Sequence, residues 1–245
     1  INWEVRRPEF ANAYTYASAI NEAYANDGIR KPRYHEYEMN AFKTGAYPQY
    51  YPNVNWVDEV FKDAAATNIA NMSLRGGGSK FRYFAMFNWV TDNGFIANAK
   101  ANDGYSTQNK SSKANLRTNL DIDLTPSTKM TLNLLGTLAE TNKPGDSADL
   151  WSMIYSLPAT AFPVKTENGL WGGNTTWDGT KNPVAQSQAA AYTKGHNRSL
   201  YADMTLKQDL SSILPGLGAG FMLAYDNWAS YVENHSKTYR YGSDN

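Results

Sequence analysis

The sequence predicts an all-β protein whose antiparallel strands form a segment of a transmembrane β-barrel. The first observation behind this prediction is an alternation of apolar and polar residues over segments of about ten residues, which is typical of strands with two different faces. The second is that short turns and long connections alternate along the chain. The third is that no run of residues approaches the ~18 apolar residues that a transmembrane helix requires.

Composition narrows the classes of function. The 245 residues carry a formal net charge of zero, which gives no indication of a nucleic-acid partner. Cysteine is absent, so disulfides, thiolate metal sites and cysteine nucleophiles are excluded. The histidines His35, His196 and His235 are too scattered in sequence to predict a metal site or a catalytic triad. We therefore predict no metal, no cofactor and no catalytic residue.

The chain begins with a short strand pattern. Ile1, Trp3 and Val5 alternate with polar residues, and Pro8 closes the segment because proline cannot donate a hydrogen bond to a neighbouring strand. Residues 1–8 are therefore predicted to be the end of a first barrel strand. Because the sequence opens in the middle of this pattern, we expect it to be a piece of a longer protein.

A long connection is predicted at 9–66, and connections of this length are usually functional or disordered. The many aromatic residues of this one favour order. Its first part, at about 12–26, predicts a short helix that Asn12 caps and that Gly28 ends. The remainder, rich in proline and tyrosine, is predicted to be irregular apart from one helical turn near Trp56. The apolar stripe of the predicted helix comprises Ala13, Ala17, Ile20 and Tyr24.

Residues 67–245 predict six further strands, the second to the seventh of the barrel. The clearest alternation lies on both sides of the turn at 126–129, where leucines alternate with charged and amide residues. The predicted periplasmic turns are 76–80, 126–129 and 212–216, and the predicted extracellular loops are 97–113 and 144–197.

Short turns at one end and long loops at the other are typical of outer-membrane barrels. In such a barrel the apolar strand faces contact lipid and the polar faces line the lumen. The residues predicted to face the lumen are Arg117, Asn119, Asp121, Asp123, Asp203 and Lys207.

The long loops are rich in aromatic residues, for which two interpretations remain open. A flat exposed ring can stack on a sugar, which predicts contact with a substrate. Alternatively, the rings pack the loops together or contact a partner protein. The residues in question are Trp151, Tyr155, Trp171, Trp177, Tyr47, Tyr50 and Tyr51.

Six short motifs follow one another along nearly the whole chain. They are YASAINEA with NDG at 16–28, YPNVNW at 51–56, SLRGGGSKFRY at 73–83, NGFI at 93–96, NPVA at 182–185 and LPGL at 214–217. In this order they resemble motifs of the SusC/RagA-type TonB-dependent transporters. The second motif departs from the family pattern at Asn55, where an aspartate is usual.

The resemblance implies a bacterial outer-membrane location and a large plugged barrel, of which this chain supplies roughly strands 1–7. It also implies import of oligosaccharides or peptides, with a SusD-like surface lipoprotein as a lid. Energy would come from TonB acting on an N-terminal region that this sequence lacks. The predicted lumen residues would then also face the plug domain of the same chain, and the loop aromatics would contact the cargo or the lid.

Two alternatives would place the apolar strand faces against a second sheet instead of lipid. One is a secreted carbohydrate-binding β-sandwich. The other is a glycoside hydrolase, in which Asp146 and Asp149, or Asp178 and Glu167, would flank the scissile bond. Nothing in the sequence brings either pair to hydrolytic spacing, and the resemblance implies no hydrolysis.

Overall fold

The computed structural model describes most of the chain. Asn2–Trp3 forms strand β1 and pairs antiparallel with β2, Ala64–Ala65. The rest of the predicted strand at 1–8 falls partly outside the described residues, as do Asp146, Asp149 and Asp178. The described ranges are 2–3, 7–102, 104–145, 150–177 and 181–243.

Helices occupy the long connections and strands the segments between them. None of the described helices is long and apolar enough to cross a membrane. The helices are α1 Ala13–Asn26, α2 Glu36–Thr44, α3 Trp56–Val60, α4 Leu150–Ser156 and α5 Pro183–Ala189, with a 3-10 turn at Thr175–Trp177. The remaining strands are β3 Thr67–Gly77, β4 Phe81–Asp92, β5 Lys110–Thr125, β6 Thr128–Pro144, β7 Trp171–Gly172, β8 Tyr192–Asp209, β9 Gly218–Asn234 and β10 Tyr241–Gly242.

Six long strands form one antiparallel sheet in the order β3-β4-β5-β6-β8-β9. The short strand β7 lies outside this sheet and pairs in parallel with β10. The structure is therefore mostly β and is built on an antiparallel sheet of six strands, in agreement with the predicted fold class. Within the described residues the sheet is open, with β3 and β9 at its two edges, and it does not close into a barrel.

The strand register collects apolar side chains on one surface of the sheet, which we call the apolar face. Leu132 on β6, for example, lies opposite Leu120 on β5 and Met204 on β8. Many of these side chains are exposed, including Leu74 at 55% and Phe221 at 58%. The apolar face comprises Met72, Leu74, Phe81, Tyr83, Phe87, Trp89, Leu116, Leu120, Ile122, Met130, Leu132, Leu134, Leu138, Leu200, Met204, Leu206, Phe221, Leu223 and Tyr225.

The opposite surface, which we call the polar face, is crossed by ladders of hydrogen bonds. Asn119 Nδ2 donates to Asn133 Oδ1 at 2.5 Å, and Asn133 Nδ2 donates to Asp203 Oδ1 at 2.9 Å, so one ladder spans three strands. Such cross-strand pairs stabilise the sheet and satisfy its polar groups. A second ladder links Asn71, Asn88, Asn115 and Thr137. The polar face further comprises Arg82, Arg117, Asp121, Asp123, Lys129, Thr131 and Lys207, together with the apolar or aromatic Ile69, Phe84, Met86, Leu135, Tyr201, Met222 and Trp228.

Most of the buried core lies in the two long connections and not in the sheet. We call these connections, at 9–66 and 145–191, the cap. The main core cluster joins Trp56 and Val60 of the first connection to Ile154 and Phe162 of the second. The Trp56 ring meets the Phe162 ring edge-on at 5.3 Å, and Trp56 Nε1 donates to the Pro158 carbonyl at 3.1 Å. The cap is therefore one packed layer although its halves are far apart in sequence.

Helix α1 agrees with its prediction. Asn12 Oδ1 accepts the Thr15 N–H at 2.8 Å, which caps the first turn. Gly28, with a φ of 75°, follows the last turn in the left-handed conformation that favours glycine. Ala13 and Ala17 are fully buried in a second cluster with Phe42, so α1 packs against the rest of the cap through its small residues.

The prediction of an irregular segment after α1 was wrong over Glu36–Thr44, which forms α2. Glu38 Oε2 accepts the His35 N–H at 2.6 Å, and Gly45, with a φ of 73°, ends the helix. These are an ordinary start and stop signal. The prediction missed the helix because the prolines and tyrosines around it favoured an irregular structure.

The strands also extend beyond their predicted ends. β5 begins at Lys110, inside the predicted loop 97–113, and β8 begins at Tyr192, inside the predicted loop 144–197. Because pairing between strands depends on backbone groups, the strands continue toward the long loops after the apolar alternation stops.

Candidate functional site

A cleft of about 660 Å³ opens where the polar face meets the cap. Its floor includes Lys143, Thr193 and Asn234, which are direct cross-strand partners on β6, β8 and β9. Lys143 and Thr193 are each an even number of residues from Asn133 and Asp203 on the same strands, so they lie on the same surface and continue the polar face. The cleft thus lies at the loop end of the surface that carries the polar ladders.

Backbone pairing joins the two walls of the cleft. The Trp171 N–H donates to the Arg240 carbonyl at 3.3 Å, and the Gly173 N–H donates to the Gly242 carbonyl at 3.0 Å. At Gly172, a Cβ would lie only 1.7 Å from the Pro163 carbonyl oxygen, so glycine is required for this close approach. The chain after β9 is held against the second connection by these contacts.

Asn182 anchors the base of one wall. Its Oδ1 accepts the Val184 and Ala185 N–H groups at 3.0 and 3.1 Å and so caps α5. Its Nδ2 donates to the carbonyls of Val164 and Gly172, both at 3.1 Å. Because its side chain is 3% exposed, Asn182 has a structural role beneath the cleft.

We expect Asn182→Ala to lower the free energy of unfolding by about 2–4 kcal/mol, because it removes a helix cap and leaves buried carbonyls without a donor. Denaturant unfolding of the purified protein measures this loss. Asn55→Ala is the matched control, since Asn55 precedes α3 but makes no side-chain cap bond. Equal stability of the two variants would contradict the anchoring role of Asn182.

Lysines and neutral polar groups line the cleft. Lys143, Lys181 and Lys237 line it, and its described lining includes no carboxylate. Glu233, the carboxylate nearest in sequence on β9, projects to the other surface of the sheet, where its Oε1 lies 2.5 Å from His235 Nε2. Neutral polar groups complete the lining, among them Tyr241, which is 67% exposed.

The tryptophans that the sequence singled out take part in the packing of the cap. The Trp151 ring stacks on Phe61 at 4.8 Å, and Lys165 Nζ lies 4.6 Å from the centre of the Trp171 ring. Trp151, Trp171 and Trp177 are half-buried against the main core cluster. Of the three, Trp177 alone also lines the cleft. Packing within the cap therefore buries part of each ring.

The tyrosines that the sequence singled out divide into two groups. Tyr51 packs against Phe42 at 5.9 Å in the second cluster. Burial, and then the neighbouring Tyr37 and Glu38, raise the pKa of Tyr51 above its ordinary value, so its hydroxyl is neutral at physiological pH. Tyr47, Tyr50 and Tyr155 are instead exposed on the cap. Contact of any of these residues with a substrate or lid stays a prediction.

All six predicted lumen residues lie on the polar face: Arg117, Asn119, Asp121, Asp123, Asp203 and Lys207. Asp121 lies 4.0 Å from Arg82 and accepts a hydrogen bond from Thr131 Oγ1 at 2.9 Å. Asp123 lies 3.9 Å from Lys129. Two of these carboxylates are thus paired with a cation on a neighbouring strand, and contact of the six residues with a lumen or plug stays a prediction.

Sequence reasoning missed the lysines of the cleft. Lys143 and Lys237 are separated by more than ninety positions along the chain, and neither lies in a recognisable motif. Only the long excursion between β6 and β8 and the return of the chain at β10 bring them together. Lys143 is accompanied in sequence by Glu140, Asp146 and Asp149, so the local charge gave no signal for it.

The described part of the chain includes no group of three or more histidine, aspartate or glutamate residues that could hold a metal ion. Of the carboxylates considered for hydrolysis, Glu167 alone is described, and it is exposed. No protein-family model matches the chain, and no curated protein matches it significantly.

Proposed function

We propose that the chain forms part of the wall of an outer-membrane importer for oligosaccharides or peptides. The observation that carries the proposal is the contrast between the two surfaces of the sheet. The apolar face is exposed, whereas the polar face is joined by hydrogen-bonded ladders. A soluble domain buries its apolar sheet face against a second layer, whereas a barrel wall presents it to lipid.

The height of the apolar face fits a bilayer. On β6 it extends from Met130 to Leu138, which corresponds to about 27 Å along the strand at ~3.4 Å per residue. At the usual tilt of about 40°, this gives roughly 20 Å along the membrane normal, close to the ~25 Å band of outer-membrane barrels.

Aromatic residues lie at both ends of this band. Phe81, Tyr83 and Phe221 are at the turn end, and Trp89 and Tyr231 are at the loop end. Trp89 Nε1 donates to Ser112 Oγ at 3.1 Å, which is the contact of a ring that is apolar on one side and polar on the other. Aromatic girdles of this kind mark the two membrane interfaces.

The proposed partners follow from the resemblance and the position of each surface. The cap would form the extracellular rim, where a SusD-like lipoprotein docks near exposed residues such as Tyr47, Tyr50 and Tyr155. The polar face would contact the plug domain, and TonB would act through the plug. Cargo would pass between the cap and the polar face, so the mechanism is gated passage without bond chemistry.

The alternative of a secreted carbohydrate-binding β-sandwich requires a second sheet over the apolar face. The described residues place their buried core in the cap, not over this face. This distribution favours the barrel wall.

Cell fractionation tests the proposal. The native protein is expected in the outer-membrane fraction, and its release is expected to require detergent. Washing with carbonate or urea should leave it in the membrane, because the apolar face is held by lipid and not by another protein. Release into buffer without detergent would contradict the proposal and favour the sandwich.

A further inference from the structure

We propose that a groove in the apolar face binds lipid A, with an acyl chain in the groove and a phosphate at Arg198. The inference rests on the proposed function and goes beyond it by naming one lipid and the site that holds it. It starts from two observations: a cavity in a surface that is otherwise covered by large apolar side chains, and a cation at the loop end of that cavity.

The groove lies around Gly136 and has a volume of about 500 Å³. Gly136 is directly opposite Leu116 on β5 and Leu200 on β8, so its missing side chain leaves a gap between two leucines. Apart from the adjacent residues of the chain, no described atom lies within 4 Å of the place that a Cβ at Gly136 would occupy. The volume is in the range of about 300–1,000 Å³ that is usual for ligand sites.

A second groove of about 390 Å³ follows toward the turn end. It is lined by Leu134 and Ala202, which form the row of the apolar face next to Gly136, and by Leu132 one row further on. The two grooves together extend along β6 from Leu138 to Leu132. This corresponds to roughly 20 Å of strand. The space is therefore long and apolar, which suits an extended acyl chain better than a compact ligand.

Arg198 supplies a positive charge at the loop end of the first groove. Its direct partners across the sheet are Leu138 and Ala229, neither of which can neutralise a guanidinium. The next row outward carries Glu140, but Glu140 Oε1 lies 3.4 Å from His196 Nδ1. Arg198 makes no side-chain hydrogen bond or ion pair with the described residues. Its planar set of N–H donors suits the oxygens of a phosphate.

The height of Arg198 in the sheet indicates which lipid is within reach. Arg198 lies in one row with Leu138 and with Trp89, which belongs to the aromatic girdle at the loop end. The guanidinium is therefore level with the headgroups, and the groove lies below it among the acyl chains. In the proposed function the loop end is extracellular, and the phosphate-bearing lipid of that leaflet is lipid A. Phosphatidylglycerol also carries a phosphate, but it belongs to the leaflet at the turn end.

Native mass spectrometry of the unaltered protein in detergent, with added lipid, tests this inference. The probes are lipid A, the same lipid after removal of its phosphates, and phosphatidylglycerol. We expect lipid A to bind at least about fivefold more tightly than either of the others, because only lipid A satisfies both the cation and the length of the groove. Binding of either other lipid as tightly as lipid A, or more tightly, would overturn the inference.

An arginine variant locates the phosphate. Arg198→Gln is expected to abolish the preference for lipid A over its dephosphorylated form, because the amide carries no charge. Arg117→Gln is the matched control, since Arg117 lies on the polar face of the same sheet. An equal preference in the two variants would show that the phosphate does not bind at Arg198.

A glycine variant locates the acyl chain. Gly136→Leu is expected to raise the Kd for both forms of lipid A by about three- to tenfold, because the leucine side chain fills the groove. Gly220→Leu is the matched control. Gly220 lies on the polar face opposite Lys207, and an added Cβ there would meet its nearest atom, the Leu206 carbonyl oxygen, at 3.8 Å. Equal Kd values for the two variants would exclude the groove as the site.

Cell fractionation and the lipid measurements separate this inference from the proposed function. An outer-membrane protein without a preference for lipid A would overturn the inference alone. Release of the protein into buffer without detergent would overturn both, because no leaflet would then lie against the groove. Because the comparison of lipids uses the unaltered protein, it holds even if a variant fails to fold.

Discussion

Met204→Arg is expected to destabilise the membrane-inserted protein by about 2–4 kcal/mol, the usual effect of arginine near the middle of the lipid-facing side of a barrel. Met204 lies on the apolar face between Leu132 and Leu223. A guanidinium at this position would be surrounded by hydrocarbon and would lack a partner. Urea-induced unfolding in lipid vesicles measures the loss.

Tyr201→Arg on the same strand is the matched control. Tyr201 lies on the polar face, where Asp226 is directly opposite and offers a partner for the new charge. Its expected change is below about 1 kcal/mol. An equal loss in both variants, or a greater loss at Tyr201, would show that lipid does not cover the apolar face.

Trp56→Ala is expected to lower the stability of the cap by about 3–5 kcal/mol, the range for truncation of a large buried aromatic residue. Trp56 is 3% exposed, and its neighbours come from both long connections. Its loss removes the contact with Phe162 and the hydrogen bond to Pro158. We therefore expect both connections to become sensitive to protease together while the strands stay protected.

The control for this variant is Tyr47→Ala, since Tyr47 is 72% exposed. Surface truncations of this kind change stability by less than about 0.5 kcal/mol. Cleavage of the first connection alone in the Trp56 variant would contradict the single packed cap.

The alternation of apolar and polar side chains along each strand predicted which residues lie on which face of the sheet. Leu132 and Asn133 are neighbours in sequence and lie on opposite faces, as a period of two requires. The turn residues between the strands were equally local signals, as was Asn12 at the N-terminus of α1. Such features are predictable because each depends on a few adjacent residues.

The cap and the cleft depend instead on contacts across long sequence separations. Trp56 meets Phe162, and Lys143 and Lys237 line the same cleft, although more than ninety positions of sequence separate the members of each pair. The aromatic content of the loops indicated packing but not which ring meets which. For the same reason, the sequence left open whether Trp151 and Trp171 contact a ligand or pack within the loops, and the structure shows packing contacts of both rings within the cap.

The most direct measurement of the central claim is the environment of single spin labels along 130–138 of β6. The chain contains no cysteine, so a single cysteine introduced at each position marks one side chain. In native membranes, labels at even positions such as Leu132 and Leu134 should be accessible to dissolved oxygen, which concentrates in lipid. Labels at odd positions such as Asn133 should be accessible to a water-soluble nickel complex. A period of two with these assignments is the predicted result, and access of the nickel complex to the even positions would contradict it.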